Sequence, residues 1–541
     1  MKLARGQMNF SRRFAVGGLF AAGTSMLPIR GEAKEQRGHI VDASDHGVTA
    51  DGVTDDAPAL SQAIAAMNNG SMLVLPAGEV ALGSPGWTGI AFRRLKGIRI
   101  QGNGTTLKWL SAPTQATSPF GATGLLLRDC HGASIAELRI NGNGVNCIGL
   151  GLENCSSCVV REVEAFAHGS AGRSGLGQLV SCKGSGNTWL SCIARDSTPG
   201  SQFRGFYLGN GNSGWGETDL RIQSCAANNN NATGFAIGAD RLICMGSTAD
   251  GNAGAGFISG TAKGSGSFDH LFVGNISRRN AFHGWQTDVY GPNAERIVLT
   301  GNDFSLNTHC GVYCHKGSNV SICGNVISGN GAPTGAGAVE ISMSENVTVT
   351  DNLIEGDPVH GTCISTGFYA NKITGLIIVN NHCKGFAGKT LWLEALDDSS
   401  ALKAVVVSGN ILRGGSHGIY AGCATRGARI EDLNISNNIV EAASVASYFI
   451  SDATPGQSTG LRLAGNAGGR MQMHPNVIPA VDVNNEWNAV VGRGSAAPTG
   501  GEWRQGAIIY NSSPSPGSPV GWVCTSSGTP GIWRGFGTIA P

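Results

Sequence analysis

The sequence is short of charge. Lysine, arginine, aspartate and glutamate together make up 14% of the 541 residues, and the formal net charge is +1. No stretch of the chain is rich in lysine or arginine. A protein whose main task is to bind nucleic acid carries a basic patch or stripe, because the phosphate backbone must be neutralised. The composition therefore predicts no nucleic-acid partner.

Long apolar runs are also scarce, except near the N-terminus. Basic residues within positions 1–13 precede an apolar stretch from Phe14 to Ile29, and a short small-residue ending follows. This is the layout of an export signal, and the stretch is too short and glycine-rich to span a membrane. Ser11-Arg12-Arg13-Phe14 resembles a twin-arginine signal. We therefore expect residues 1–33 to direct export to a bacterial periplasm or exterior, with no membrane span.

The cysteine pattern lacks both a metal framework and a disulfide framework. The fifteen cysteines include one C-x-x-C pair, Cys155 and Cys158, and no second pair at zinc-ribbon spacing. Many of the other cysteines lie inside short apolar runs with the character of strands. Free cysteine is among the most buried residue types. The pattern therefore predicts thiols packed in a repetitive core and no metal site.

Glycine is abundant, at 83 residues, but it lacks the Gly-X-Y period of collagen. It accompanies a repeat in which short apolar runs end in Gly-Asn or a near equivalent, and many copies are followed by a strand that opens with glycine. The repeated asparagines are Asn275, Asn302, Asn325, Asn352, Asn381, Asn410 and Asn438. The intervals between them are 27, 23, 27, 29, 29 and 28 residues, so loops of different length interrupt a constant unit.

This repeat unit of two or three short strands cannot bury its apolar face alone, and stacking on similar neighbours solves that problem. A leucine-rich repeat would need its leucine and helix pattern, and a propeller would need four strands in about 40 residues. Neither pattern is present. The sequence predicts an all-β fold, a parallel β-helix or solenoid of about ten coils, in which asparagines at equivalent turns form ladders along the axis.

The N-terminal segment departs from the repeat. Residues 58–68 have the apolar spacing of a helix, with Leu60, Ile64 and Met67 on one face. Before them stands Gly47-Val-Thr-Ala-Asp-Gly-Val-Thr-Asp-Asp56, and after them Leu75-Pro-Ala-Gly78. Either aspartate at the end of the first motif would suit the helix N-cap.

These motifs resemble the opening of the pectate-lyase-like superfamily, which contains polysaccharide lyases, glycoside hydrolases, mannuronan epimerases and phage tailspikes. The resemblance implies a right-handed parallel β-helix over residues 39–465, with a capping segment at 47–85. It assigns Asp51, Asp55 and Asp56 to the cap and gives them no catalytic role. It specifies the fold and leaves the reaction open.

The repeat fades after residue 465. Residues 466–500 have the composition of a linker, and residues 501–541 are predicted to form a small β-module. Trp503, Trp522 and Trp533 would be the core of that module or platforms on which sugars stack. The module is similar to those appended to some tailspike-like β-helices, which suggests a homotrimer.

A candidate site follows from the alternation of side chains along strands. Aligning the glycine-initiated strands directs Phe235, Trp285, Val312 and Ile419 inward. The residues that then face outward are Gln286, Asp288, Tyr313, His315, Glu340, Ser342, Trp392, Glu394 and Tyr420. We expect a polysaccharide to lie along this stripe, because carboxylates, a histidine and aromatics converge on it in a chain that is poor in charge.

Three of these residues are predicted to be catalytic. Asp288 and Glu340 lie two coils apart, roughly 10 Å at the strand spacing. That is near the separation at which one carboxyl group protonates the glycosidic oxygen while the other activates water, as in an inverting glycosidase. His315 lies on the coil between them, where it could tune either pKa or act as a base. As structural alternatives, both carboxylates could be solvated turn charges.

The remaining predicted residues would bind substrate. Tyr313, Trp392 and Tyr420 offer flat faces for pyranose rings, and Gln286 and Glu394 offer polar contacts beside them. The histidines that precede glycine, such as His283 and His417, recur at an equivalent position and suit a structural turn, so no catalytic role is predicted for them.

The predicted function is that of an exported polysaccharide-degrading enzyme, with a hydrolase preferred over a β-elimination lyase. A lyase would need a base, such as Tyr313 or His315, and a cation beside a uronic carboxylate; calcium would serve as its cofactor, and the hydrolase needs none. Asp357-Pro-Val-His360 only partly matches the Asp-Pro-His-Glu signature of mannuronan epimerases. A non-catalytic carbohydrate-binding, adhesion or tailspike-like protein is the alternative from another class.

Overall fold

Parallel strands from successive turns of the chain are stacked into long ladders. A computed structural model describes residues 39–540 apart from residues 84–86, 115–120, 173, 210–215, 261–267, 288–293, 332–336, 357–360, 367–371, 470, 475, 478, 484, 486–490, 501–502 and 504. The predicted export signal, residues 1–33, lies outside the described residues. Among the helices that are described, none is long and apolar enough to cross a membrane.

Two parallel sheets form the body of the solenoid. Within the described residues, sheet I has fifteen strands, one from each successive turn. These strands are Ile90–Arg93, Thr123–Arg128, Ile148–Glu153, Ser174–Cys182, Gln202–Leu208, Phe235–Ile237, Phe257–Ser259, Trp285–Thr287, Val312–His315, Gly337–Ser342, Thr362–Ser365, Lys389–Ala395, His417–Cys423, Ala446–Asp452 and Met471–Met473.

Sheet II has 32 strands in the described part of the chain, and a typical turn gives it a longer strand followed by a strand of about three residues. These strands are Ile40–Asp42, Asp51–Asp55, Met72–Val74, Gly78–Leu82, Arg99–Trp109, Ser134–Asn141, Val159–Phe166, Thr188–Leu190, Ile193–Arg195, Glu217–Thr218, Arg221–Gln223, Ala226–Asn228, Ala239–Met245, Thr248–Asp250, Phe268–Val273, Ile276–Arg278, Ala294–Thr300, Asp303–Ser305, Gly317–Cys323, Val326–Ser328, Glu345–Thr350, Leu353–Glu355, Lys372–Thr374, Ile377–Val379, His382–Phe386, Ala401–Ser408, Ile411–Gly414, Arg429–Ser436, Ile439–Glu441, Ser458–Thr459, Arg462–Ala464 and Val481–Val483.

The core lies between the sheets and is built from columns of like side chains. The inner ladder of sheet I runs through Leu179, Phe206, Phe235, Phe257, Trp285, Val312, Val339, Ile364, Leu391, Ile419 and Tyr448, which pair in register and are all buried. The rings of Phe206 and Phe235 are stacked 4.6 Å apart, and those of Phe235 and Phe257 4.9 Å apart. The inward direction predicted for four of these residues is confirmed.

Buried asparagines form the predicted ladder at the corner between the longer and shorter strands of sheet II. Its members are Asn275, Asn302, Asn325, Asn352, Asn381, Asn410, Asn438, Asn466 and Asn485. Each Nδ2 donates to the Oδ1 of the next member at 2.8–3.0 Å. That Oδ1 also accepts the backbone N–H of the preceding asparagine, as Asn352 Oδ1 does from Asn325 at 2.9 Å. A polar side chain can be buried here because its donors and acceptor have partners.

Glycine opens many sheet I strands because the corner before sheet I leaves no room for a side chain. A Cβ on Gly205 would lie 2.9 Å from the Cβ of Ala227, which belongs to the next turn. A Cβ on Gly284 would lie 3.2 Å from the Cβ of Phe304. The repeated glycine in the sequence therefore marks a close approach between two strands of successive turns.

The prediction of about ten coils is wrong, since sheet I alone has fifteen strands in the described residues. The N-terminal turns were missed because their corners lack the asparagine. The backbone N–H of Cys192 donates to Cys225 Sγ at 3.4 Å, that of Cys225 to Ser247 Oγ at 3.2 Å, and that of Ser247 to Asn275 Oδ1 at 2.9 Å. Cysteine and serine thus continue the asparagine ladder with different side chains.

The cysteines are core residues, as predicted. Fourteen of the fifteen are buried, and Cys323 is half-buried. Several thiols donate to a backbone carbonyl of the preceding turn, as Cys192 does to Val160 at 3.3 Å. These thiols therefore provide hydrogen-bond donors to backbone carbonyls at the corner of the solenoid while filling little volume.

A short helix closes the N-terminal end. The α-helix spans Ala57–Ala65, three residues shorter than predicted at its C-terminal end, and a 3-10 helix spans Ala43–His46. Leu60 is buried in the core. Asp56 is the N-cap residue, but its carboxylate turns away from the helix and accepts the backbone N–H of Thr49 at 2.8 Å. Asp55 Oδ1 accepts the N–H of Ala57 instead, at 3.2 Å.

The strand pairing continues beyond residue 465, into the segment predicted to be a linker. Met471–Met473 pairs with Ala446–Asp452, and Val481–Val483 pairs with Arg462–Ala464. A separate four-stranded sheet follows. Its strands are Val491–Gly494, Ile508–Asn511, Pro519–Ser526 and Ile532–Thr538.

The tryptophans of this terminal sheet are half-buried. Trp503 and Trp533 pack edge to face with their ring centroids 5.1 Å apart. The indole N–H of Trp533 donates to the carbonyl oxygen of Pro530 at 2.9 Å. These contacts fit a small core, in which the rings are only half-buried.

Candidate functional site on the outer face of sheet I

The outward-facing side chains of sheet I form a second column, which we call the outer ladder. From turn to turn it runs through Gln286, Tyr313, Glu340, Ser365, Trp392, Tyr420 and Phe449, each pairing in register with the next. Neighbouring rungs are about 4.8 Å apart, the spacing of hydrogen-bonded strands. The structure therefore places Gln286, Tyr313, Glu340, Trp392 and Tyr420 in one column, as the alignment of strands in the sequence predicted.

Stacked rings dominate the upstream part of the outer ladder. Tyr313 lies parallel to His283 at a centroid distance of 4.7 Å and parallel to His315 at 6.0 Å. His315 Nδ1 is 2.7 Å from the hydroxyl of Ser342, its neighbour on the next turn. Burial lowers the pKa of His283 to about 3 and also lowers that of His315, to which the Lys316 charge contributes. These imidazoles are therefore neutral at neutral pH.

The predicted pair of catalytic carboxylates is not assembled in the described residues. Asp288 lies outside them. Glu340 faces outward as predicted, but its side chain is fully buried, and its Oε2 accepts the backbone N–H of Gly337 at 3.2 Å. Gln286 and Tyr313 are also largely buried, with 6% and 5% exposed. These residues share one column with Trp392 and Tyr420, as the alignment predicted, but Glu340 is not in contact with solvent.

Downstream, five side chains form a compact group that we call the Lys389 cluster, consisting of Lys389, Trp392, Glu394, His417 and Tyr420. Glu394 is its centre: the indole N–H of Trp392 donates to Glu394 Oε2 at 2.5 Å, and Tyr420 donates to Oε1 at 3.5 Å. The Lys389 ammonium lies 3.6 Å from Glu394 Oε2. Trp392, Glu394 and Tyr420, all predicted to bind substrate, are thus brought together.

Lys389 also lies against two aromatic faces in this cluster. Its Nζ is 4.0 Å from the ring centroid of Trp392 and 3.5 Å from that of Tyr420. A cation in this position is held by the ring quadrupoles as well as by the carboxylate. Phe449 stacks on Tyr420 at 4.7 Å, and His417 meets Tyr420 edge to face at 5.5 Å. The cluster therefore combines a cation, a carboxylate, an imidazole and two flat rings, with Phe449 packed beside it.

The protonation states of the cluster suit proton transfer. Burial lowers the pKa of His417, and the nearby Lys389 charge lowers it further. Burial raises the pKa of Tyr420 to about 12, and Glu394 acts in the same direction. Burial lowers the pKa of Lys389, while Glu394 opposes that shift. At neutral pH His417 is a neutral base and Tyr420 a protonated donor.

Sequence reasoning missed Lys389 and His417. They pair in register with each other at the starts of their strands, ahead of the regular alternation that begins at Leu391 and Ile419. The recurrence of His-Gly at strand starts favoured a structural turn. A signal was available, because Lys389 and His417 lie three residues before Trp392 and Tyr420 respectively, at equivalent places on successive turns.

In the part of the chain that the structure describes, no group of three or more histidine, cysteine, aspartate or glutamate side chains is arranged to hold a metal ion. The calcium ion considered for a lyase therefore stays a prediction, without a described set of ligands.

The strand order and the column geometry define the class: the chain is a right-handed parallel β-helix protein. Residues 265–375 match the family model described as "Right handed beta helix region". The resemblance to the pectate-lyase-like superfamily is thus confirmed for the fold. No curated protein matches the chain by sequence.

Solved structures give more particular likenesses. The A-module of the Azotobacter vinelandii mannuronan C-5 epimerase AlgE4 superposes with a TM-score of 0.51 at 18% identity, covering 64% of this chain and 96% of that one. The tailspike protein of E. coli bacteriophage HK620 gives a TM-score of 0.54 at 13% identity, covering 78% of each chain. At these identities the likeness concerns the fold.

Proposed function

We propose that this protein acts on a polysaccharide that lies along the outer ladder, and that it removes the proton beside the carboxylate of a uronic acid residue. One observation carries the proposal: a neutral histidine, a protonated tyrosine and a lysine lie within one cluster on two adjacent turns. Lys389 and His417 are paired in register, and Tyr420 follows three residues after His417.

Each member of the Lys389 cluster has a role in that reaction. The Lys389 ammonium would pair with the uronic carboxylate and thereby make the adjacent proton more acidic. His417 would accept that proton, since its lowered pKa leaves it neutral. Tyr420 would donate a proton, either to the leaving glycosidic oxygen or to the opposite face of the sugar ring. Glu394 would hold Lys389 and Tyr420 in place through its two oxygens.

This proposal replaces the preference for a hydrolase. Hydrolysis by inversion needs two carboxyl groups in contact with substrate and water. Glu340 is fully buried, and Asp288 lies outside the described residues. The mannuronan C-5 epimerase that shares the fold is named for a reaction at the carbon from which a uronic acid proton is removed, and that name supports the proposal. Export and a homotrimer also stay predictions.

The test is incubation of the protein in D₂O with neutral polysaccharides and with polymers of uronic acids. We expect deuterium at inverted C-5 centres if the carbanion is reprotonated, or ultraviolet-absorbing unsaturated ends without deuterium at their C-5 if elimination follows. New reducing ends without deuterium or absorbance would instead identify a hydrolase. Binding without any of these signals would overturn the enzymatic proposal and favour a carbohydrate-binding protein.

A further inference from the structure

Two buried cysteines face each other across a corner of the solenoid. Cys363 lies in the sheet I strand Thr362–Ser365, and Cys383 lies in the sheet II strand His382–Phe386 of the next turn. Their Sγ atoms are 2.6 Å apart, and both side chains are fully buried. A covalent S–S bond is about 2.05 Å long. The two sulfurs are therefore within about half an ångström of bonding distance.

The corner itself brings Cβ positions of two strands slightly closer together than a disulfide requires. At the equivalent position of other turns a glycine of sheet I faces an inward residue of the following short strand. The pairs are Gly205 with Ala227, Gly234 with Ala249 and Gly284 with Phe304, for which a Cβ on the glycine would lie 2.9, 3.1 and 3.2 Å from its partner Cβ. Disulfides join Cβ atoms about 3.5–4.5 Å apart. The Cβ–Cβ separation at this corner, which elsewhere requires glycine, is thus close to the separation found in a disulfide.

Strand register places the cysteine pair at this same position. Ile364, the residue after Cys363, belongs to the inner ladder that also contains Trp285, the residue after Gly284. Cys383 belongs to the column of short-strand residues that contains Phe304. Cys363 thus takes the place of the glycine at that corner, and Cys383 takes the place of the apolar residue.

Other buried thiols have different surroundings. Cys155 Sγ donates to the carbonyl of Leu127 at 3.4 Å, and Cys225 Sγ donates to the carbonyl of Trp189 at 3.4 Å. These side chains donate to carbonyls at a corner although thiols also lie beside them, Cys130 and Cys158 beside Cys155 and Cys192 beside Cys225. The Cys363 sulfur differs in lying 2.6 Å from that of Cys383. The difference distinguishes cross-linked cysteines from ladder cysteines.

We propose that Cys363 and Cys383 form a disulfide bond that ties one strand of sheet I to the short strand of the next turn. The oxidant would be a low-molecular-weight disulfide such as oxidised glutathione. One cysteine thiolate attacks it, releases one reduced thiol and becomes a mixed disulfide; the second thiolate then displaces the other thiol. The two cysteines lose two electrons and two protons in total, and the oxidant becomes two thiols.

The bond would form while the chain folds, because burial raises the pKa of Cys363 well above that of an ordinary thiol and the closed core excludes an oxidant. It would fix the strand that carries Ser365, the rung of the outer ladder between Glu340 and Trp392. The proposal does not depend on the reaction that the outer ladder performs.

The experiment counts thiols in the full-length chain after refolding in a mixture of reduced and oxidised glutathione. The protein is unfolded in guanidinium with an alkylating reagent and no reductant, and its intact mass is measured. We expect thirteen of the fifteen cysteines to be alkylated, and a non-reduced peptide map to show one cross-linked pair containing positions 363 and 383.

Two variants complete the test. Cys363→Ala, which copies Ala338 at the equivalent position of the preceding turn, should have all fourteen remaining cysteines alkylated. Cys225→Ser, which copies Ser247 of the next corner, should keep the bond and have twelve of fourteen alkylated. Reducing conditions during refolding should lower the Tm of the wild type by several degrees and leave that of Cys363→Ala unchanged. Alkylation of all fifteen wild-type cysteines, or a bridge between other positions, would overturn the proposal.

Discussion

The two faces of sheet I carry opposite kinds of pattern, although the same strands provide both. The inner ladder repeats large apolar residues from turn to turn, with Phe206, Phe235 and Phe257 stacked on one another. The outer ladder changes at every rung, from glutamine to tyrosine, glutamate, serine and tryptophan. Stacking of turns requires only the inner repetition. Positions that the stacking does not constrain are therefore where a binding function can be placed.

The strongest test of this contrast compares two tryptophans of sheet I, one in the inner ladder and one in the outer ladder. Trp285→Ala, in the inner ladder, should lower the free energy of unfolding by about 4 kcal/mol, since it empties a fully buried site. Trp392→Ala, on the half-exposed outer face, should cost about 1 kcal/mol and weaken polysaccharide binding instead. Guanidinium unfolding and binding measurements on both variants decide; equal losses of stability would contradict a division between the faces.

Removal of the outer cation should affect activity more than stability. Lys389→Met should lower the rate of deuterium exchange into a uronic polymer by about 10²- to 10³-fold, as expected when a charge that stabilises a developing anion is lost. Its Tm should change little. The matched control is Lys403→Met, which removes an exposed lysine of sheet II that pairs with Glu431 at 3.2 Å. Full activity in Lys389→Met would refute the role proposed for the cluster.

The asparagine ladder tests whether repeated core residues contribute to stability and not to activity. Asn352→Ala leaves the Asn325 backbone N–H and the Ile322 carbonyl without this partner inside the core. We expect a loss of about 3 kcal/mol in the free energy of unfolding, with activity per folded molecule unchanged. Asn434→Ala, on the half-exposed outer face of the strand Arg429–Ser436, should cost less than about 0.5 kcal/mol.

Glu217 is a buried carboxyl group and an exception to the apolar interior. Burial raises its pKa to about 7, against the lowering effect of hydrogen bonds from Asn187 and Ser181. A group whose folded pKa is raised contributes stability at low pH that is lost as the pH rises through that value. The stability of Glu217→Gln relative to the wild type should therefore increase by about 3 kcal/mol between pH 4.5 and pH 7. Denaturant unfolding at several pH values measures this slope, and a flat difference would contradict it.

Surface ion pairs should have the smallest effect. Arg413 and Glu441 pair at 2.7 Å between neighbouring turns, and about half of each side chain is exposed. Because both side chains lie away from the core and from the outer ladder, we expect Arg413→Ala to change the free energy of unfolding by no more than about 0.5 kcal/mol. A loss of several kcal/mol at this site would mean that charge pairs, and not the buried ladders, hold the turns together.

The fold was predictable because its constraints recur. The glycine before Trp285 and the asparagine at 302 mark corners that every regular turn must form, and their spacing gave the correct inward direction of four core residues. The number of turns was not predictable, because Cys192, Cys225 and Ser247 take the ladder position at their corners in place of asparagine.

The candidate site was only partly predictable for a related reason. Alternation along a strand identified Trp392, Glu394 and Tyr420, which the structure brings into contact. It could not identify Lys389 and His417, because they lie three positions before Trp392 and Tyr420, and strict alternation assigns residues at an odd spacing to the opposite face. Nor could it reveal that Glu340 is buried, since burial depends on packing from residues distant in sequence.

The N-terminal helix has a consequence for association between molecules. A stack of parallel strands ends in unpaired backbone groups and in an open cross-section of its core, and such an end can recruit another chain. Here Leu60 and the rest of the helix Ala57–Ala65 close the first turn. The helix therefore hinders end-to-end association of folded molecules through that end of the solenoid.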